Sequence, residues 1–332
     1  MTVTKISNPG LDSSVPRGSR NLIINGAMAI AQRGTVTGVT SGYGGPDRFI
    51  FTRSGAAVAT LSQDTDVPSG YGFANSIKID ITTEDSSLAA SDYALFGQRI
   101  EGFNLQSIKK GTSNAEKLTV SFWIKTTITG TYILELFDAD NDRQVSGSYT
   151  VSSADTWEKK TITFPADTTG TIDNDNATSI NVMWFLAAGS TFSSGTLNTS
   201  WAATNNANRA VGQVNAVNSA SNNIYFTGIQ MELGDTATDF EFRTYGQELV
   251  DCQRYYNNKL YLYEGLRTGE LSGTVAYGTT MRAAPTLTET RLGGKTGSVT
   301  ALVDKYNNYA QWYMTGASNE FRDSQVTADA EL

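Results

Sequence analysis

Three aspartates occupy alternate positions of the stretch Asp138-Ala139-Asp140-Asn141-Asp142. Carboxylates spaced in this way can converge on a hard cation that takes oxygen ligands, so Ca2+ is the one cofactor that Asp138, Asp140 and Asp142 would suit. The pattern departs from an EF-hand loop at its sixth position, where Arg143 replaces the glycine of the sharp turn. It departs again at the twelfth, where Tyr149 replaces the closing glutamate. The competing reading is a solvated hairpin turn between two strands. The same pair of readings applies to Asp173-Asn174-Asp175-Asn176.

Aromatic rings offer a second chemistry. Flat rings stack on the apolar faces of pyranose sugars, while neighbouring amides and carboxylates bond the hydroxyls. Tyr43, Tyr71, Trp157 and Trp201 lie in or beside polar, turn-rich stretches and are the candidate glycan contacts. Their competing role is to cap the ends of a sandwich or fill a subunit interface. Trp184 sits in an apolar run and belongs to a core.

Other chemistries are excluded by residue type. The chain has no histidine, which removes the commonest general base, the commonest zinc ligand and every Ser-His-Asp type triad. Cys252 is the one cysteine, so no intrachain disulfide can form. A glycosidase needs two facing carboxylates, and among 33 acidic residues no spacing singles out a pair. No catalysis is therefore expected. The net charge is -8, and no basic run exceeds the doublets Lys109-Lys110 and Lys159-Lys160, which argues against nucleic acid as a partner. No signal-type apolar segment opens the chain and no long apolar run occurs in it, so neither classical secretion nor membrane insertion is expected.

The elements that must position these residues are strands. Charged residues make up 17% of the chain, below the usual ~25%. Gly, Thr, Ser and Asn are abundant, a balance suited to many turns and uncharged polar faces. Within 117–125, Leu118, Val120, Phe122 and Ile124 share one face, with Thr119, Ser121, Trp123 and Lys125 on the other. Ile77, Ile79 and Ile81 alternate with Lys78 and Asp80. Ile180, Val182, Trp184 and Leu186 form another face, and Tyr225, Ile229, Met231 and Leu233 are placed in one phase of a closing strand. Turn-rich stretches separate these runs, giving an all-β protein, a jelly-roll-like β-sandwich. The one local helix signal is 246–258, where Leu249, Cys252, Tyr255 and Tyr256 fall near one face. No heptads, Gly-X-Y run or β-helix period supplies a fibre shaft, so any stalk is expected from another protein.

Two segments frame the sandwich. Asn21-Leu22-Ile23-Ile24-Asn25-Gly26 runs into Ala31-Gln32-Arg33-Gly34-Thr35, followed by Pro46-Asp47-Arg48-Phe49. Ile229-Gln230-Met231-Glu232-Leu233-Gly234 runs through Ala237-Thr238-Asp239-Phe240-Glu241, Arg243, Tyr245-Gly246 and Glu248-Leu249 to Cys252-Gln253-Arg254-Tyr255-Tyr256. Together they resemble the opening and closing patterns of a β-sandwich domain in tail-fibre and related virion proteins of bacterial viruses. Met281-Arg282-Ala283-Ala284-Pro285-Thr286-Leu287 and the terminal Ala328-Asp329-Ala330-Glu331-Leu332 resemble the C-terminal heads of phage fibres.

The resemblance implies a homotrimer on the virion, on either a tail fibre or the capsid surface, that binds surfaces. Within its motifs, Gly26, Gly34, Gly234 and Gly246 are assigned to positive-φ turns. Asp47 and Arg48 are expected to pair or to bond backbone groups, and Gln230 and Glu232 to bridge to a neighbouring strand or subunit. Tyr255, Tyr256, Tyr261 and Tyr263 could serve at an interface. The expected organisation is an extended arm over 1–20, either a tether to other virion proteins or a plain tail. It is followed by the sandwich over 21–245, a helical linker over 246–258 and a smaller β domain over 259–332.

Three functions remain open. The first is a fibre head that recognises host cell-surface polysaccharide without catalysis. The second is a capsid or tail decoration protein with no receptor role. The third is a polysaccharide depolymerase.

Overall fold

The computed structural model describes residues 20–332 apart from 266–268, 295–297, 306 and 317–320. The arm expected over 1–20 lies outside the described residues except for Arg20. The chain divides into two compact units. One comprises the residues up to Ala29 together with Gly34–Phe242, and the other comprises Ile30–Arg33 and Arg243–Leu332. Among the described residues no helix is long and apolar enough to cross a membrane.

The first unit is a β-sandwich. Its strands are β1 (Val36–Val39), β2 (Ser41–Tyr43), β3 (Ile50–Ser54), β4 (Val58–Asp64), β5 (Ser76–Thr83), β6 (Tyr93–Glu101), β7 (Leu118–Thr126), β8 (Gly130–Asp138), β9 (Arg143–Val151), β10 (Glu158–Phe164), β11 (Thr178–Ala188), β12 (Ala202–Ala203) and β13 (Asn223–Leu233). They form a six-stranded sheet ordered β1-β4-β5-β13-β7-β10 and a seven-stranded sheet ordered β12-β9-β8-β11-β6-β3-β2. From β5 onward the chain passes repeatedly from one sheet to the other, and every pairing is antiparallel. This is the jelly-roll-like wrapping expected from strands with one apolar face.

The core forms where the alternation places it. Ile77, Ile79 and Ile81 from β5 meet Leu118, Val120, Phe122 and Ile124 from β7, with Ile180, Val182, Trp184 and Leu186 arriving from β11. Each such side chain, fully buried, contributes about 1.5–3 kcal/mol of transfer free energy. The expected phase of β13 needs correction. Ile224 and Phe226 point into the core before a register slip between Thr227 and Gln230, and Ile229 and Met231 point in after it. Gly228, at φ 61°, makes this bulge. Tyr225 is therefore turned outward, away from the face it was expected to share with Ile229.

The framing motifs are one clasp. Asn21 accepts at Oδ1 from the Ile23 and Met231 amides (3.0 Å each) and donates from Nδ2 to the Ile229 carbonyl (3.0 Å). The Glu241 carboxylate accepts from the Arg20 and Asn21 amides at 2.9 and 2.7 Å. Gln230 and Glu232, both buried, bind the return loop: Gln230 Oε1 accepts from the Glu241 amide, and Glu232 accepts from the Thr238 amide and hydroxyl. Gly26 is required by proximity rather than by the positive φ expected of it. A Cβ there would sit 2.0 Å from the Ile229 carbonyl oxygen. Gly246, likewise expected at positive φ, is not among the positive-φ glycines. Arg48 bonds backbone, its Nη2 donating to the Arg99 carbonyl at 2.7 Å.

The second unit holds β14 (Tyr256–Gly265), β15 (Gly269–Ala276), β16 (Thr286–Gly294), β17 (Ser298–Lys305), β18 (Tyr309–Gly316) and β19 (Phe321–Asp329), arranged as two three-stranded sheets, β14-β19-β16 and β15-β18-β17. The helix spans Tyr245–Gln253, capped by a reciprocal box between Thr244 and Gln247. Tyr256 onward is strand, so 246–258 is part helix and part sheet rather than a linker. Leu260, Tyr277, Met281, Val326, Ala328 and Ala330 form the unit's core. Tyr255 is fully buried and cannot face a partner, and the side chains of Tyr261 and Tyr263 lie outside those described. The Arg282 guanidinium donates to the Ala330 and Glu331 carbonyls at 2.8 and 3.1 Å, tying two of the resemblance segments together.

Candidate functional site

The two outer faces of the sandwich differ in what covers them. On the seven-stranded sheet, Ile133 and Phe185 point outward but are buried under Ala210, with Phe192 and Leu197 packed alongside. Arg209 locks this cover down. It forms a forked pair with the fully buried Glu135 at 2.8 and 2.6 Å, and its guanidinium lies over Phe137, Phe185 and Phe192.

The outer face of the six-stranded sheet instead carries a groove of about 310 Å3. Its floor is Trp123, on the opposite face of β7 from Phe122 and Ile124. Tyr71, from the loop between β4 and β5, leans on the indole with ring centroids 4.4 Å apart and an interplanar angle of 52°. Tyr71 is itself 56% exposed and covers most of Trp123, which is 9% exposed. Phe73, Phe240 and Phe242 form a second wall, with centroids 4.9–5.3 Å apart. Gly228 admits that wall, because a Cβ there would meet the Phe73 ring at 2.5 Å. Ser121, Asp239 and the exposed Lys159 supply the polar edge. Lys159 stands directly opposite Trp123 on β10 and has no ion-pair partner among the described residues.

A second aromatic pair lies on the same face. Trp157 meets Tyr225 edge-on at 6.3 Å, and its Nε1 donates to Asp66 at 2.9 Å. Lys125 bonds the other Asp66 oxygen and lies 5.2 Å from the Tyr225 ring centroid. Partial burial raises the Asp66 carboxyl, but the Lys125 and Trp157 hydrogen bonds outweigh this and hold it below the usual carboxylate range. Burial, reinforced by Asp64, Asp66, Asp80 and Asp155, pushes the Tyr225 phenol up to about 12, so it remains a neutral donor at physiological pH.

Of the four rings expected to contact glycan, Tyr71 and Trp157 thus reach one face. Tyr43 lies in β2, at the edge of the other sheet. Trp201 is an internal anchor: it packs against the core, and its Nε1 donates to the Pro165 carbonyl at 2.9 Å. Trp123, Phe240 and Phe242 were not singled out by sequence. The outward phase of Trp123 was visible there, but its partner Tyr71 is far away along the chain.

The three aspartates do not assemble a cation site. Asp138 is fully buried and its Oδ2 bonds the Lys110 ammonium at 2.5 Å. That ammonium also reaches Asp167 Oδ2 at 3.0 Å and the Thr169 and Gly170 carbonyls at 3.0 and 2.9 Å. Two carboxylates and two carbonyls are what a hard cation would take, and here lysine fills the cage. Asp140 accepts from the Asp173 amide, and Asp142 adopts φ 50° in the turn. Among the described residues no group of three acids, histidines or cysteines could hold a metal. Burial raises the Asp167 carboxyl, but Arg143, Lys110 and the Thr169 amide more than offset it and hold it below its ordinary range.

No family model matches the sequence, and no curated protein matches it. Among solved structures, the chain is similar to the enzymatically active domain of tailspike protein 4 of bacteriophage CBA120, at 14% identity and a TM-score of 0.36, covering 64% of this chain and 21% of that one. It is also similar to a family 11 carbohydrate-binding module of a Clostridium thermocellum cellulase, at 13% identity and a TM-score of 0.31, covering 62% and 97%. A third likeness is to a xylan-binding domain from Paenibacillus barcinonensis, at 10% identity and a TM-score of 0.29, covering 67% and 100%.

Proposed function

We propose that the protein is a non-catalytic head of a phage fibre or related virion protein that recognises host surface glycan on the outer face of its six-stranded sheet. The observation that carries this reading is the Tyr71–Trp123 platform beside Lys159 and Asp239. It joins an open ring surface to a cationic donor and an anionic acceptor, the combination that sugar hydroxyls and ring faces require. The groove lining contains one carboxylate, Asp239, whereas glycosidases use two. The virion setting and the homotrimer follow from the resemblance of the framing motifs, with residues 1–20 as the attachment arm.

The test is binding of the purified protein to an array of bacterial surface polysaccharides, repeated with Trp123→Ala and Tyr71→Ala. Saturable binding by the wild type that both variants lose supports the reading. The wild type binding no glycan, with Phe242→Ala and Tyr71→Ala breaking an oligomer in sedimentation, would favour the decoration protein and make this surface an assembly contact.

A further inference from the structure

We infer that this face holds an extended run of glycan, at least two sugars long, lying along β7 from the Tyr71–Trp123 platform to the Trp157–Tyr225 pair. The inference rests on the glycan-binding reading above and specifies the ligand of that site. Strand register carries it. Trp123 is aligned with Lys159 on β10 and Thr227 on β13. Two residues along, on the same face, Lys125 is aligned with Tyr225, and Trp157 enters this second row from the position just before β10. The rows are separated by two residues of strand, roughly 7 Å.

The second platform is built before any ligand arrives. Asp66 holds both the Trp157 indole N–H and the Lys125 ammonium, and Lys125 lies over the Tyr225 ring. Side chains already fixed in this way lose little freedom on binding. A site for one terminal sugar needs one platform. Two platforms in successive rows match a chain whose neighbouring residues are read together.

The experiment takes the best-binding polysaccharide from the array, hydrolyses it partially and separates the products by size. Calorimetry then measures its monosaccharide, disaccharide and tetrasaccharide on the full chain. The expected result is at least a tenfold gain in affinity from monosaccharide to tetrasaccharide. Trp157→Ala should erase that gain, and Trp157→Phe should preserve most of it. If Trp157→Ala misfolds, Tyr225→Ala serves in its place. Equal affinity for all lengths, or a gain indifferent to Trp157 and Tyr225, overturns the inference while leaving a Trp123-dependent glycan site intact. If the wild type binds no glycan of any length, both the inference and the reading beneath it fail.

Discussion

The Arg33 guanidinium lies 3.5 Å above the centroid of the Tyr256 ring. The same side chain, 9% exposed, bonds Asp329 at 3.0 Å and Glu331 at 3.2 Å. Four residues from three resemblance segments thus meet within the second unit. Lysine keeps the charge but has neither the planar fork nor the stacking surface. Arg33→Lys should destabilise the second unit by about 1–2 kcal/mol, read by urea denaturation.

Tyr71 is more than half exposed, so its removal leaves the core intact. Tyr71→Ala should weaken glycan binding about tenfold with Tm nearly unchanged, the size expected for one lost ring contact. Calorimetry beside thermal unfolding separates the two effects. Equal losses in both would make Tyr71 a structural ring.

Gly228 is doubly constrained, by its positive φ and by the Phe73 ring. Gly228→Ala should cost about 1–3 kcal/mol and displace the phenylalanine wall of the groove. Loss of binding with unchanged stability would contradict this account.

Lys110 fills the oxygen cage that a metal would otherwise occupy. Neither added Ca2+ nor a chelator should shift Tm, because the described residues offer the ion no site and hence no linkage to folding. Lys110→Met should cost about 3–5 kcal/mol, since it strands the buried Asp138 without its cation, while Asp167 keeps the Arg143 guanidinium.

The pH dependence follows from Asp167, whose carboxyl is held below its ordinary range. A carboxyl more acidic folded than unfolded contributes its full stability above roughly pH 4 and loses it as pH falls through the folded value. Acid titration of stability should show this loss at the low end. Asp167→Asn should flatten that part of the curve while lowering stability at neutral pH by about 3–5 kcal/mol.

The sandwich was legible because period-two alternation is a local signal. Ile77, Ile79 and Ile81, like Leu118 through Ile124, needed no distant information to be placed inward. Tyr225 was misplaced because a bulge resets the alternation, and Gly228 inside an otherwise apolar strand was the mark that could have shown it. The Asp138 run looked cationophilic because its competitor, Lys110, is 28 residues away. Trp201 and Trp157 look alike in sequence, each a tryptophan near a polar turn. What separates them is whether the core or the open sheet face receives the ring, which is set by tertiary packing. The helix was read too long because Tyr255 and Tyr256 continue its apolar pattern while the backbone leaves for β14.

The slip at Gly228 also divides β13 into two halves with separate duties. Residues before it set one row of the exposed face through Tyr225. Residues after it hold the return loop through Gln230 and Glu232. A substitution at Tyr225 therefore leaves the Gln230 and Glu232 contacts of the clasp in place, because Gly228 sets the two halves of the strand in separate phases.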